Sequence, residues 1–238
     1  MAINAYEGKF YSFQFEQFIK YICSLFLEKD IKDYFFGWLK ILNELDNISL
    51  LEYKRHMKIR SEYKKKNRRY EIFTHEVNLL GSDVPYIFHY DIEQISSRIS
   101  FKNFKRMKTK ELIKCARYDN SELLNKQQLK KSPIIIVPFV DVNRNYLVID
   151  GNKRLTYRVQ NHKMLTKFIL LNDINNFDFI FSCDWAMYLL YYELDKCLVY
   201  KENIGEFKVV DFLNSQGFLN QQKFISIYED VLQKAKNI

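Results

Sequence analysis

Glycine and proline are scarce in this sequence, with 6 and 3 among 238 residues. Because these residues mark turns and flexible linkers, the boundaries between segments must be read from hydrophobic periodicity instead. Only four cysteines are present, and they form no C-x-x-C pair, which argues against a zinc site and against a disulfide framework. We expect them to be small buried apolar side chains.

Long hydrophobic runs are also absent. The longest apolar stretches, 133–140 and 185–192, contain 8 residues each, whereas a membrane-spanning helix needs about 20. The N-terminal residues lack the basic segment and apolar stretch of a secretory signal. We therefore expect a cytoplasmic protein with no membrane partner, and an apolar content of 47% is enough for a packed core.

The net charge of +8 comes from the middle of the chain, because residues 50–131 contain 20 basic and 10 acidic side chains. The run 54–69 holds nine Lys or Arg and one Glu, and the run 102–114 holds six and one. The first run has two equal interpretations. It binds DNA or RNA through phosphate contacts, or it is a solvated helix face. The second run is interpreted as a solvated face. The predicted nucleic-acid contacts are Lys64, Lys65, Lys66, Arg68 and Arg69.

The N-terminal segment has helical periodicity. Apolar residues recur at three- and four-residue spacing over 10–28 and again after Asp30, a candidate N-cap. Ser49 and Glu52 have the spacing of a capping box, which predicts that a third helix begins there and carries the first basic run. We predict a helical segment over residues 1–72.

The next segment, 73–175, alternates between strand and helix signals. Its β-branched runs and turn residues predict a strand within 86–95, a helix over 121–131, strands over 133–139 and 146–149, a helix over 155–162 and a strand over 165–171. The strands before and after the turn near residue 144 can pair as a hairpin, and the prolines of the first predict a sheet edge. Helical spacing returns over 184–200 and 220–237 and defines a third segment, 176–238. The expected fold class is α+β, a small mixed sheet flanked by helical segments.

A sharp polar corner at residues 150–154 carries the strongest functional signal. A strand ends there in Asp-Gly and a helix follows, so unsatisfied backbone N–H groups favour an anion. Gly151 permits a positive φ and close approach of a ligand, while Arg154 offers a fork that fits phosphate oxygens and Lys153 adds charge. Asp150 has three open roles: to hold a metal ion, to orient Arg154 or to cap the helix. The predicted nucleotide- or phosphate-binding residues are Asp150, Gly151, Asn152, Lys153 and Arg154.

The letters of this corner match the second half of the Fic/Doc signature, which resembles H-x-F-x-D-G-N-[GK]-R. The positions of the catalytic His and of the Phe are occupied by Tyr146 and Val148. A tyrosine cannot supply the general base that imidazole provides near neutral pH. Active Fic/Doc chemistry is therefore rejected.

The order of elements is similar to the ParB/sulfiredoxin-like family over about residues 85–172: a P-I-x-V strand, a hairpin return, a strand ending in D-G-x-x-R, a helix and a strand. The resemblance implies a nucleotide-phosphate pocket at 150–154, Mg²⁺ as companion of the nucleotide, and phosphoryl transfer or nucleotide hydrolysis as the reaction. Asn152 stands where sulfiredoxins need a Cys, which argues against that activity. Asn152 and Lys153 replace the Glu-Arg of partition proteins, and no helix-turn-helix follows.

No catalytic residue is assigned from the sequence. Free-serine kinases of the same fold use a separate carboxylate as base, and Asp91 and Glu93 are the nearest candidates here, with surface acids as the alternative. His89 is interpreted as a structural residue. The leading hypothesis is a nucleotide- or phosphate-binding ParB-like protein, with enzymatic activity undecided. The alternative is a non-catalytic nucleic-acid-binding protein of a plasmid, phage or mobile element. A scaffold for protein interaction is a third reading.

Overall fold

A computed structural model describes residues 2–4, 9–11, 13–79, 83–100, 103–119, 132–141, 144–171 and 179–236. The helices are α1 Phe15–Ser24, α2 Lys29–Lys65, α3 Ile92–Arg98, α4 Thr109–Cys115, α5 Asn152–Gln160, α6 Ser182–Asn203, α7 Glu206–Gln216 and α8 Gln222–Lys236. The strands are β1 Ala2–Asn4, β2 Lys9–Tyr11, β3 Ile72–Val77, β4 Tyr86–Asp91, β5 Lys105–Lys108, β6 Ala116–Arg117, β7 Ile134–Asp141, β8 Arg144–Asp150 and β9 Leu165–Leu170. A short 3₁₀ helix covers Phe218–Asn220.

The chain forms two compact units. The first unit combines Met1–His89 with Phe179–Ile238, and the second is Tyr90–Asp178. The two predicted helical ends therefore belong to one unit, which also contains β3 and most of β4. The α+β fold class is confirmed, whereas the ParB/sulfiredoxin-like type of the sheet stays a prediction. Within the described residues, no helix is long and apolar enough to cross a membrane.

Helix α2 is continuous through the point where a third helix was predicted to begin. The helix has 37 residues, and Ser49 lies in its interior, where its hydroxyl donates to the carbonyl of Leu45. Glu52 instead accepts hydrogen bonds from the backbone N–H of Ser182 and so caps α6. The capping-box prediction is wrong because the tertiary partner of Glu52 lies 130 residues away.

The start of α2 also differs from the prediction. Glu28 is the N-cap and Asp30 lies in the first turn. The backbone N–H groups of Leu27 and Glu28 donate to the carboxylate of Glu206. A side chain of α7 therefore satisfies two backbone N–H groups at the start of α2, and Asp30 is not the residue at which the helix begins.

The core of the first unit comes from the predicted apolar stripes. Phe18, Phe35, Trp38 and Leu42 are almost completely buried where α2 packs against α1 and α6. Tyr11 belongs to β2 rather than to the first helix, which begins at residue 15. Aromatic residues at helical spacing therefore form core here, as their periodicity indicates.

The second unit contains a five-stranded mixed sheet in the order β5-β9-β7-β8-β6. Strands β7 and β8 pair antiparallel, which confirms the hairpin, and β9 runs parallel to β7. Strand β7 lies in the middle of the sheet, so the predicted edge position is wrong. Along β7, strand β9 pairs with residues 134–136, and Pro138 lies beyond that pairing next to an irregularity in the register with β8. A proline is tolerated at such a point because no ladder bond is lost.

Helices α4 and α5 cover one face of this sheet. The buried cluster there consists of Leu112, Ala116, Ile134, Ile136, Val148, Leu155 and Phe168. The second basic run, interpreted as a solvated face, contains β5 and α4, and Leu112 within it is fully buried. The predicted helix over 121–131 lies outside the described residues.

Candidate functional site: the Asp150 corner and the basic end of α2

The corner between β8 and α5 has the backbone geometry that the sequence predicts. Gly151 has a φ of 97°, in the left-handed region, and α5 begins at the next residue. A Cβ at this position would lie 2.6 Å from Cγ2 of Ile134 and 2.6 Å from Nη2 of Arg154. Only glycine fits, because the conformation and the space both exclude a side chain.

Arg154 is a buried anchor of this corner. Its side chain is 9% exposed, and its Nη2 donates to Oδ2 of Asp150 at 2.8 Å and to the carbonyl of Pro133 at 3.2 Å. Its Nη1 donates to the hydroxyl of Ser132 at 2.8 Å. Arg154 therefore joins the end of β8 to the residues that precede β7.

Of the three roles open for Asp150, the structure shows the pairing with Arg154. Within the described residues, no side-chain hydrogen bond caps the N-terminus of α5. The guanidinium of Arg154 already donates three hydrogen bonds inside the protein, to Ser132, Pro133 and Asp150. The predicted phosphate contact of Arg154 stays untested, but its position favours a supporting role.

The other residues of the corner differ in what they offer to a ligand. Asn152 is engaged on both sides, because its Oδ1 accepts from the backbone N–H of Asp119 at 3.0 Å and its Nδ2 donates to the carbonyl of Val148 at 3.2 Å. Lys153 is exposed. The groups that can meet an anion are thus the ammonium of Lys153 and the uncapped first turn of α5.

The described residues of the corner offer one carboxylate, that of Asp150, to a magnesium ion. Oδ2 of Asp150 already accepts from Arg154, and the described residues contain no group of three His, Cys, Asp or Glu that could hold a metal ion. Mg²⁺ is commonly held by one or two carboxylates together with the phosphates of a substrate. The phosphates of a nucleotide would have to supply most of its ligands here.

Asp91 and His89, which the sequence brings close together, have separate structural roles. Asp91 is 2% exposed and its side chain accepts from the backbone N–H of Gln94, which caps α3. Its interpretation as a surface acid is therefore wrong. Nδ1 of His89 lies 2.9 Å from Oδ2 of Asp184, which also accepts from the backbone N–H of His89, and Oδ1 of Asp184 accepts from the hydroxyl of Tyr86. All these groups are buried, so the set holds the first unit together.

A second buried carboxylate, Glu193 on α6, is completely enclosed. It accepts from Nε1 of Trp38 at 2.9 Å, from the hydroxyl of Tyr34 at 3.0 Å and from the backbone N–H of Phe218 at 2.7 Å. Burial raises its pKa to about 7, and burial likewise raises the pKa of Glu52 to about 7. The sequence did not indicate that Glu193 accepts hydrogen bonds in the core or that Glu52 caps α6, because the partners of both residues are distant in the chain.

The basic run forms the last turns of α2 and the turn after it. We call residues 54–69 the basic end of α2. Eight of its nine cations are exposed, namely Lys54, Arg55, Lys58, Lys64, Lys65, Lys66, Arg68 and Arg69. Lys54, Lys58 and Lys65 lie on the side of the helix opposite the buried His56, as the 3.6-residue repeat requires. The five predicted nucleic-acid contacts are thus all accessible.

The turn that presents these cations is held in one conformation. Asn67 has a φ of 51°, and the backbone N–H of Arg68 donates to the carbonyl of Tyr63 while that of Asn67 donates to the carbonyl of Lys64. This is a Schellman motif, which ends a helix with a defined geometry. The ring of Tyr70 packs on Tyr63 with centroids 5.0 Å apart and on His56 at 5.3 Å. The chain after the turn is therefore fastened to the helix.

Comparisons of the chain with protein-family models, with curated proteins and with solved structures found no match.

Proposed function

We propose that this protein binds nucleic acid through the basic end of α2, as a non-catalytic protein of a plasmid, phage or other mobile element would. The observation that carries the proposal is the set of eight exposed cations on one helix end and its Schellman turn. Lys54 and Lys65 are 11 positions apart in the helix, which is about 17 Å at 1.5 Å per residue. Duplex DNA carries about one negative charge per 1.7 Å of its axis, so several phosphates lie within reach.

The geometry favours duplex DNA over single strands and RNA. An α-helix with its side chains is about 10–12 Å wide and fits the major groove of B-DNA, about 12 Å wide. Single-strand binding uses aromatic rings as stacking platforms, whereas the rings of Tyr63 and Tyr70 are packed on each other. The major groove of RNA helices is too narrow for such an element.

Reversing the charge of two cations tests this proposal. We expect Lys64→Glu plus Lys66→Glu to weaken duplex DNA binding by about 10- to 100-fold near 0.1 M salt, because each lost phosphate contact forgoes counterion release. The measurement is fluorescence anisotropy with a labelled duplex. The matched control is Lys223→Glu plus Lys234→Glu, which makes the same charge change at exposed positions of α8. Equal losses in both variants would mean that only the total charge matters, and the proposal would then fail.

A second candidate function is nucleotide or phosphate binding at the corner 150–154, with Mg²⁺ as companion and phosphoryl transfer or hydrolysis as the reaction. The observation that favours it is the exposed Lys153 in the first turn of α5. This helix follows the left-handed Gly151, and the described residues place no side-chain cap on it. The resemblance of this region to the ParB/sulfiredoxin-like family supports the same proposal. In this version Lys153 and backbone N–H groups bind the phosphates, and Arg154 holds the corner in shape.

A thermal-shift panel of CTP, ATP, ADP and GTP with Mg²⁺ tests the second candidate. A nucleotide at about 100 times its dissociation constant adds about 2.7 kcal/mol to the free energy of unfolding. We expect one nucleotide to raise the melting temperature of the wild type, and Lys153→Ala to remove most of that rise. Lys105→Ala, at an exposed position of β5, is the control. A rise that Lys153→Ala leaves intact, or no rise at all, would reject the corner as a nucleotide site.

A further inference from the structure

A cleft of about 640 Å³ lies in the second unit, away from the corner at 150–154. It is formed where β5 passes into α4 and where α5 turns into β9. The backbone N–H of Thr109 donates to the carbonyl of Met164 at 2.9 Å, and Nη1 of Arg158 donates to the carbonyl of Leu165 at 3.0 Å. The first bond joins the two walls, and the second lies within the wall formed by α5 and β9. Its volume is within the range of small-molecule sites in proteins.

Among the described residues, every charge that lines this cleft is positive. The cationic lining residues are Lys108, Lys110, Arg158 and Lys163, joined by His162, and none of the described lining residues is acidic. Glu111 lies just outside and pairs with Lys108 at 3.6 Å. The remaining cations exceed what one carboxylate would balance, so the charge complement is a multiply charged group such as a phosphate.

The cleft also has an apolar part. Its apolar lining residues are Ile113, Val159 and Met164, and Met164 is 82% exposed. Methionine is flexible and adapts its shape to varied ligands, so Met164 can follow an apolar ligand surface. A ligand that matches both parts must have an anionic head and an apolar body.

The backbone of the cleft is fixed. His162 has a φ of 49°, and the backbone N–H groups of His162 and Lys163 donate to the carbonyls of Val159 and Arg158. This hydrogen-bonded turn sets the positions of His162 and Lys163 relative to α5. The site is thus formed before a ligand arrives, which reduces the entropic cost of binding.

We propose that this cleft binds a small organic phosphate, with the phosphate on Lys110, Arg158 and Lys163 and the apolar body on Ile113, Val159 and Met164. The proposal is independent of the nucleic-acid interface and of the corner at 150–154. Neither the basic end of α2 nor Lys153 lines the cleft.

The methyl group of Met164 is a direct reporter. We would label the methionine methyl groups with ¹³C, assign the Met164 signal with Met164→Leu, and titrate 1-naphthyl phosphate, octyl phosphate, inorganic phosphate and 1-naphthol. We expect a saturable shift of the Met164 signal with at least one organic phosphate, at least 10-fold tighter than with inorganic phosphate or naphthol. The organic phosphate that binds more tightly tells whether the apolar part of the ligand is a ring or a chain. Met57 and Met187, which do not line the cleft, should not shift.

The matched variants separate a site from general charge attraction. Lys110→Glu plus Lys163→Glu should weaken the organic phosphate at least 10-fold, while Lys223→Glu plus Lys234→Glu should leave its affinity unchanged. The proposal is overturned by equal affinity for inorganic phosphate, by naphthol binding as tightly as its phosphate, or by equal losses in both variants. The absence of a saturable shift up to about 10 mM, a binding free energy weaker than about 3 kcal/mol, would overturn it as well.

Discussion

Replacing Arg154 with alanine should lower the free energy of unfolding of the second unit by about 3–5 kcal/mol, because it leaves Asp150 without its partner in a buried site. The side chains of this ion pair are 9% and 14% exposed, so water cannot replace the lost bonds well. Arg154→Ala also removes the donors to Ser132 and Pro133. The end of β8 and the start of β7 should then loosen together.

Amide hydrogen exchange of β8 and α5 is the appropriate measurement. Both tryptophans, Trp38 and Trp185, lie in the first unit, so their fluorescence does not report on the second unit directly. Lys153 precedes Arg154 and is exposed. Lys153→Ala should therefore change the free energy of unfolding by no more than about 0.5 kcal/mol.

A double-mutant cycle identifies the cause of this loss. Asp150→Ala combined with Arg154→Ala should cost less than the sum of the single changes, by about 0.5–3 kcal/mol. Additive costs would show that Arg154 and Asp150 act independently. A loss for Arg154→Ala below about 1 kcal/mol would contradict its role as an anchor.

The second large effect is expected at Glu193, where the stability of the first unit should depend on pH. Burial raises the pKa of Glu193 from 4.5 to about 7, so the folded state holds this proton more tightly than the unfolded state does. The stability that follows is complete below pH 4.5 and is lost as the pH rises through about 7. A pKa shift of this size corresponds to about 3 kcal/mol in the free energy of unfolding.

Glu193→Gln removes this titration. The amide nitrogen would also face the Nε1 donor of Trp38, so we expect the variant to be less stable than the wild type by about 1–3 kcal/mol at pH 4.5. The difference in free energy of unfolding between the wild type and the variant should narrow as the pH rises to 7.5, because only the wild type has a group at position 193 that titrates. Urea unfolding followed by tryptophan fluorescence measures both curves, and the difference between them removes the similar contribution of Glu52.

Tyr34→Phe is the matched variant for this prediction. It keeps the carboxyl group and removes one hydrogen bond that lowers its pKa. The loss of stability with rising pH should therefore persist, and its midpoint should move to higher pH. A gap between wild type and Glu193→Gln that stays constant from pH 4.5 to 7.5 would show that Glu193 does not titrate in this range.

Sequence reasoning succeeded where the signal is local. The hairpin, the left-handed Gly151, the helix after it and the final strand could all be predicted from β-branched runs and turn residues within 134–170. The exposure of Lys64 and its neighbours could likewise be predicted, because a dense run of cations cannot be buried.

Sequence reasoning failed where a distant partner decides the role of a residue. Ser49 and Glu52 have capping-box spacing, yet Glu52 caps α6 from 130 residues away. Asp184 pairs with His89 across 95 residues, and nothing near either residue in sequence indicates this. Arg154 shows an intermediate case: its pairing with Asp150 was foreseen as one of three roles, but not its burial, which depends on the carbonyl of Pro133.

The proposal that the basic end of α2 binds DNA is tested most directly by the salt dependence of that binding. In a plot of log affinity against log salt concentration, each phosphate contact contributes a slope of about −0.9. We expect a steep linear decrease for the wild type and a slope smaller by about 2 for Lys64→Glu plus Lys66→Glu. Binding that does not change with salt, or equal slopes for the two proteins, would contradict the proposal.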